Sequence, residues 1–171
     1  MKSNFIILLL LIANMTLAQK EFNKGWVLNL EVAQGLTTKF DNSSDLYSGE
    51  LRLSPEYTLI EQRLRVGFVP ALNYNNKIIF GTFGPHISIN LKTIQIKKLN
   101  SSVGNIQWII EHLWGTQNQK LVGTGLKIEL GQTILLSLLT HRDYALNYWR
   151  FQFGIGYNFI YKHIPKEIQM N

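Results

Sequence analysis

The stretch that most constrains this chain is residues 148–161, Y-W-R-F-Q-F-G-I-G-Y-N-F-I-Y. Odd positions carry Trp149, Phe151, Phe153, Ile155, Tyr157, Phe159 and Tyr161, and even positions carry Arg150, Gln152, Gly154, Gly156 and Asn158. Successive side chains of a strand point to opposite sides, so this alternation predicts a strand with one apolar and one polar face. Strands of soluble domains typically run about five or six residues, whereas a tilted strand crossing a membrane needs about 9–11. The run therefore points to a transmembrane strand.

Seven earlier segments repeat the pattern, over residues 25–36, 47–59, 64–74, 79–92, 105–114, 122–130 and 133–141. In the first, Trp26, Leu28, Leu30 and Val32 oppose Asn29 and Glu31. In the second, Leu51, Leu53, Tyr57 and Leu59 oppose Glu50, Arg52, Ser54, Glu56 and Thr58. Pro70 interrupts the third, because proline brings no ladder donor, and marks a bulge or weak point. The seventh is blurred by Ile134-Leu135-Leu136 and Leu138-Leu139, so its faces and that of His141 stay unassigned. Short polar connections separate the segments, at 37–45, 60–63, 75–77, 97–102, 115–120, 131–132 and 142–147. Short connections suit an antiparallel meander rather than parallel crossovers. The predicted fold is all-β, an eight-stranded antiparallel up-and-down transmembrane β-barrel with a polar, side-chain-filled interior.

The barrel is expected over 19–161, between a leader and a short polar tail at 162–171. Lys2, the apolar run 5–12 and Thr16-Leu17-Ala18 occur in the order of a secretory signal peptide, cut before Gln19. That apolar run is too short for a spanning helix, which needs about 20 residues. The chain has no cysteine, which excludes disulfides and thiolate metal sites. The net charge of +6 falls by one when Lys2 leaves with the leader. The excess gathers at the rim that carries the termini, with Lys20, Lys24, Arg63, Lys97, Lys98, Lys162 and Lys166, where anionic lipid head groups can meet it. It makes no aromatic-interleaved stripe, so nucleic acid is not an expected partner.

Alternation alone fits a membrane barrel, apolar outside, or a soluble lipocalin-like carrier, apolar inside. Three features favour the membrane. Glycines 67, 84, 123, 125, 154 and 156 fall on the polar faces, where a narrow lumen needs room for large neighbours. The same faces carry Glu31, Glu50, Glu56, Glu111 and Glu129 against Arg52, Arg65, Lys92, Lys127 and Arg150. Charges in a confined interior must pair, so this balance is expected of a lumen and not of a wet exterior. Finally, Trp26, Tyr47, Tyr57, Tyr74, Trp114, Tyr148, Trp149 and Tyr161 lie near segment ends, as in aromatic girdles.

On strand count, alternation, leader and aromatic final strand, residues 25–161 resemble the small eight-stranded outer-membrane barrels of Gram-negative bacteria, the OmpA/OmpX-like class. The resemblance implies a monomer in the cell outer membrane, with outer-membrane lipids and, during biogenesis, the barrel-assembly machinery as partners. Eight amphipathic segments without a catalytic constellation lead to the expectation of a structural or surface-interaction role, with no cofactor. In that class the last strand often ends the chain on an aromatic assembly signal; here ten residues follow Tyr161.

Outer-membrane lipid A deacylases are similar in carrying a His-x-Ser pair with an acidic partner on a late strand. The nearest counterpart, His141-Arg142-Asp143, lacks the serine, and Ser137 lies on the other side of the histidine. Acyl transfer needs the nucleophile beside its base, so these residues read as a polar loop edge. His86 reads as a member of the luminal network, and His112 and His163 have no partners at metal-ligand spacing. Glu50 and Glu56 read as partners of Arg52 and Arg65 rather than an acid–base pair, and Gly123-x-Gly125 lacks the lysine and helix of a phosphate loop. No catalytic, cofactor or metal residue is assigned. The alternatives to the structural role are a lipid-modifying enzyme and the lipocalin-like carrier.

Overall fold

The computed structural model describes residues 25–38, 46–75, 78–96, 101–131 and 133–160. The expected leader, the tail and much of the basic rim lie outside these residues. Ten strands are present: β1 (Gly25–Thr38), β2 (Leu46–Ile60), β3 (Leu64–Phe68), β4 (Ala71–Asn75), β5 (Ile78–Phe83), β6 (Pro85–Ile96), β7 (Ser101–Gly115), β8 (Lys120–Leu130), β9 (Ile134–Asp143) and β10 (Tyr148–Ile160). They form eight staves. β3 and β4 are two halves of one stave, both paired with β2, and β5 and β6 are halves of the next, both paired with β7. β10 returns to β1, with antiparallel register from Val27↔Ile160 to Thr38↔Trp149. The ring is closed, with β1 also paired to β2.

Length suits a bilayer. The thirteen residues of β10, at about 3.3 Å each and a tilt of about 40°, climb roughly 33 Å. Leu51, Leu72, Leu126, Leu138, Phe153 and Ile155 are among the exposed large apolar residues, while Glu31, Glu50, Arg52, Glu56, Arg65 and Arg150 are buried. Apolar residues therefore face outward, and the lipocalin-like alternative, which needs the reverse, is overturned. Aromatic pairs sit at both rims. Trp26 and Tyr57 pack at 5.3 Å near the rim carrying Gly25 and Ile160, here the terminal rim. Tyr47 and Tyr74 pack at 6.4 Å near the opposite, distal rim. Tyr148 departs from the girdle: it is buried and points into the lumen.

The third and fourth predicted strands are each broken, at Val69-Pro70 and at Gly84. Pro55, Pro70 and Pro85 stand on neighbouring staves around the break, and none has an N–H to offer. The donors that remain find carbonyls: Leu53 N donates to Pro70 O at 3.0 Å and Val69 N to Gly84 O at 2.8 Å. Gly84 is required here, since a Cβ would stand 1.9 Å from the His112 carbonyl oxygen on β7.

Several boundaries and one face differ from expectation. Ser101 and Ser102 belong to β7 rather than to a turn, and Lys120 belongs to β8. Arg142 and Asp143 belong to β9, not to a loop. Lys92, assigned to the lumen, is exposed, because the β6–β7 register slips between Asn90 and Lys92 and one extra residue turns the face around.

Candidate functional site: the charged lumen

Strand alternation loads the interior. β2 alone contributes Ser48, Glu50, Arg52, Ser54, Glu56 and Thr58, all buried. Carboxylates cannot be buried singly without great cost, so cationic or hydrogen-bonding side chains gather around them.

Nearest the terminal rim, Glu129 on β8 is the acceptor of a full set. Arg65 Nη1 reaches it at 3.2 Å, Asn105 Nδ2 at 3.1 Å and Gln107 Nε2 at 2.7 Å, and Asn158 Nδ2 also donates to it. Further in, Glu56 accepts from Asn29 Nδ2 at 2.5 Å and Lys127 Nζ at 3.2 Å, with His86 Nε2 at 3.1 Å and Ser88 Oγ at 3.3 Å. His86 links this group to the next, its Nδ1 lying 3.3 Å from Glu111 Oε2. Glu111 also accepts from Arg52 Nη2 at 2.5 Å and faces His141 Nε2 at 2.5 Å. Towards the distal rim, Glu50 lies 3.7 Å from Arg52 and 3.5 Å from Arg150, and Arg150 donates to Asn73 Oδ1 at 2.5 Å.

Several links reach across the barrel rather than along its wall. Lys127 on β8 and Glu56 on β2 stand four staves apart in a ring of eight, as far apart as staves can be. Beside the network, Ser137 Oγ donates to Glu31 Oε1 at 2.5 Å. Gly154 makes this contact possible, since a Cβ there would lie 2.3 Å from the Glu31 carboxylate.

His86 stands where the sequence places it. Glu50 keeps Arg52 as its neighbour, whereas Glu56 takes Lys127 and His86. The loop-edge reading of His141-Arg142-Asp143 is corrected: His141 and Asp143 are fully buried. Asp143 Oδ1 accepts from the backbone N–H of Ala145 and of Leu146, each at 2.9 Å, and so holds the turn into β10. Arg142 faces outward, its guanidinium 5.3 Å from the Trp149 ring. With Asp143 gained and Lys92 lost, the buried set is Glu31, Glu50, Glu56, Glu111, Glu129 and Asp143 against Arg52, Arg65, Lys127 and Arg150. The expected one-to-one balance therefore fails by two carboxylates among the described residues. His86 and His141, unassigned a charge, both lie against carboxylates of this set.

An apolar patch inside the distal half was also missed. Val69, Ala71, Leu113, Leu121 and Tyr148 pack together there. The signal available was Tyr148 sharing parity with Arg150 and Gln152, on the polar face. Ser137 bonds to Glu31, not to His141, and the His141 ring is engaged by Glu111, so the two do not form a nucleophile–base pair. Among the described residues no three His, Asp or Glu side chains converge to hold a metal ion.

Comparison with known proteins places the fold. No protein-family model and no curated protein matches the chain. A de novo designed transmembrane β-barrel matches with a TM-score of 0.51 and 14% identity, over 83% of this chain and 99% of the design. The attachment invasion locus protein Ail of Yersinia pestis matches with a TM-score of 0.46 and 9% identity, over 80% of this chain and 100% of its own. The closed ring, the outward apolar residues and the likeness to the designed barrel make this chain a small eight-stranded transmembrane β-barrel of the fold seen in the OmpA/OmpX-like class.

Proposed function

We propose that the chain is a monomeric, non-enzymatic outer-membrane barrel of a Gram-negative cell, with a closed lumen and a structural or surface-interaction role. The observation that carries the reading is the set of charged links across the lumen, Lys127 to Glu56, Arg52 to Glu111 and Arg65 to Glu129. An eight-stranded barrel has an interior just wide enough for side chains to fill, and long paired side chains fill it. In this reading the terminal rim faces the periplasm, where the leader would deliver the chain, and the distal rim faces outward. Its partners are outer-membrane lipids and, during assembly, the barrel-assembly machinery, with no nucleic acid.

Planar-bilayer recording of refolded protein tests the closed lumen. The expected trace shows no steady ohmic steps; steps from the unmodified chain would remove the plug reading. Membrane fractionation, with a heat-modifiable shift on unboiled gels, tests the location. Recovery as a soluble periplasmic protein would remove that part.

A further inference from the structure

The break in the wall leaves a groove of about 500 Å³ on the barrel's outer surface. Ligand clefts usually fall at roughly 300–1,000 Å³. Leu51, Leu53, Pro70, Leu72 and Phe83 are among its lining, with Gly81 and Thr116, and the wall residues Arg52 and Thr82 lie behind them. Its shape follows from register. Leu51 pairs with Leu72, and Leu72 with Gly81, so one row across three staves runs leucine, leucine, glycine. Gly81 shares the outward parity of Ile79 and Phe83, and its missing side chain makes the dent. Nothing in the backbone requires glycine there: an added Cβ would meet Thr116 Cγ2 at 3.5 Å, an ordinary contact. The groove also lies where the ladder is thinned by Pro55, Pro70 and Pro85.

We propose that this groove holds one acyl chain of a bilayer lipid, lying over Gly81 against Leu51, Leu72 and Phe83. The occupant follows from the surroundings. The groove opens within the outward apolar surface of a transmembrane barrel, where the contacting medium is hydrocarbon, and its outward lining is aliphatic and aromatic, the polar Arg52 and Thr82 being buried behind it. Thr116 supplies one polar mark at the distal end. Its Oγ1 accepts from Gly81 N at 3.2 Å, and its backbone N donates to Gly81 O at 2.9 Å, which leaves its hydroxyl proton for an ester carbonyl.

The test uses the full-length protein refolded into phosphatidylcholine vesicles that contain a little phosphatidylcholine with a photoreactive acyl chain. Cross-links mapped by mass spectrometry are expected to concentrate on the peptides carrying Pro70, Leu72 and Phe83. Gly81→Leu fills the groove from the lipid side without touching the lumen. It should lower those cross-links several-fold and leave those around Leu126, Leu138 and Phe153 unchanged, with the heat-modifiable shift intact. If Gly81→Leu does not fold, the distribution on the unmodified chain decides. Labels spread evenly around the barrel, labels at the groove unmoved by a folded Gly81→Leu, or labelling there by a photoreactive free fatty acid but not by the phospholipid would each overturn the proposal.

Discussion

Two buried carboxylates set the ends of the lumen apart. Glu129, near the terminal rim, collects donors from Arg65, Asn105, Gln107 and Asn158. Glu50, nearer the distal rim, lies beside two guanidinium groups at 3.7 and 3.5 Å and has no hydrogen bond from the protein at either oxygen. Its neighbourhood is alike: Ser48 Oγ, the Nε atoms of Arg52 and Arg150 and both polar atoms of the Gln152 amide have no partner in the chain. Near the terminal rim the comparable atoms are amide oxygens, on Asn158 and Gln107, whose NH₂ groups are engaged. Buried polar groups without protein partners are satisfied by ordered water. One end of the lumen is therefore tied by side-chain hydrogen bonds, and at the other water is expected to complete them.

The comparison can be broken by substitution. The largest expected effect is at Glu129. Glu129→Ala leaves the Arg65–Glu129 ion pair broken and three amides without their acceptor, and should cost on the order of 3–5 kcal/mol. Urea unfolding in lipid vesicles measures it. Arg52→Ala comes next, at about 3 kcal/mol, the low end for breaking a buried pair, because Glu111 keeps His86 and His141 nearby and Glu50 keeps Arg150. Glu50→Gln should cost least, roughly 1–2 kcal/mol, because the two ion pairs it weakens are long, 3.5 and 3.7 Å, and no protein hydrogen bond is lost. If Glu50→Gln proves as damaging as Glu129→Ala, the two ends do not differ. NMR contacts between water and side-chain protons would sharpen the picture: they are expected for Gln152 and Arg150 and absent for Asn105, whose amide is engaged at both atoms.

Much of the fold was legible because a barrel wall has one rule, period two, and most staves obey it. β10 reads off its residues directly, and its odd positions Phe151, Phe153, Ile155, Tyr157 and Phe159 are all exposed. β9 did not read, because the lumen it lines is partly apolar: Leu135 and Leu139 face inward beside Ser137 and His141, so both faces carry leucine. Lys92 was misplaced by a bulge, which parity carried across β6 could not register. The site was legible as a list of residues and not as a set of pairs. Arg52 meets Glu111 across the lumen, fifty-nine residues away in sequence. Nothing in local spacing encodes which stave lies opposite.

The closure of β10 onto β1 sets when the barrel can exist. Val27 pairs with Ile160, so the seam joins the two ends of the described chain. Contacts between distant residues form slowly, because the loop between them must be closed first. Until β10 is available, β1 has a bare edge and the cross-lumen links have an unfinished cage around them. A chain stopped before Tyr148 would lack the stave that completes the ring. Until then the sheet keeps open edges, and its strands must be kept from pairing with other chains until the last of them arrives.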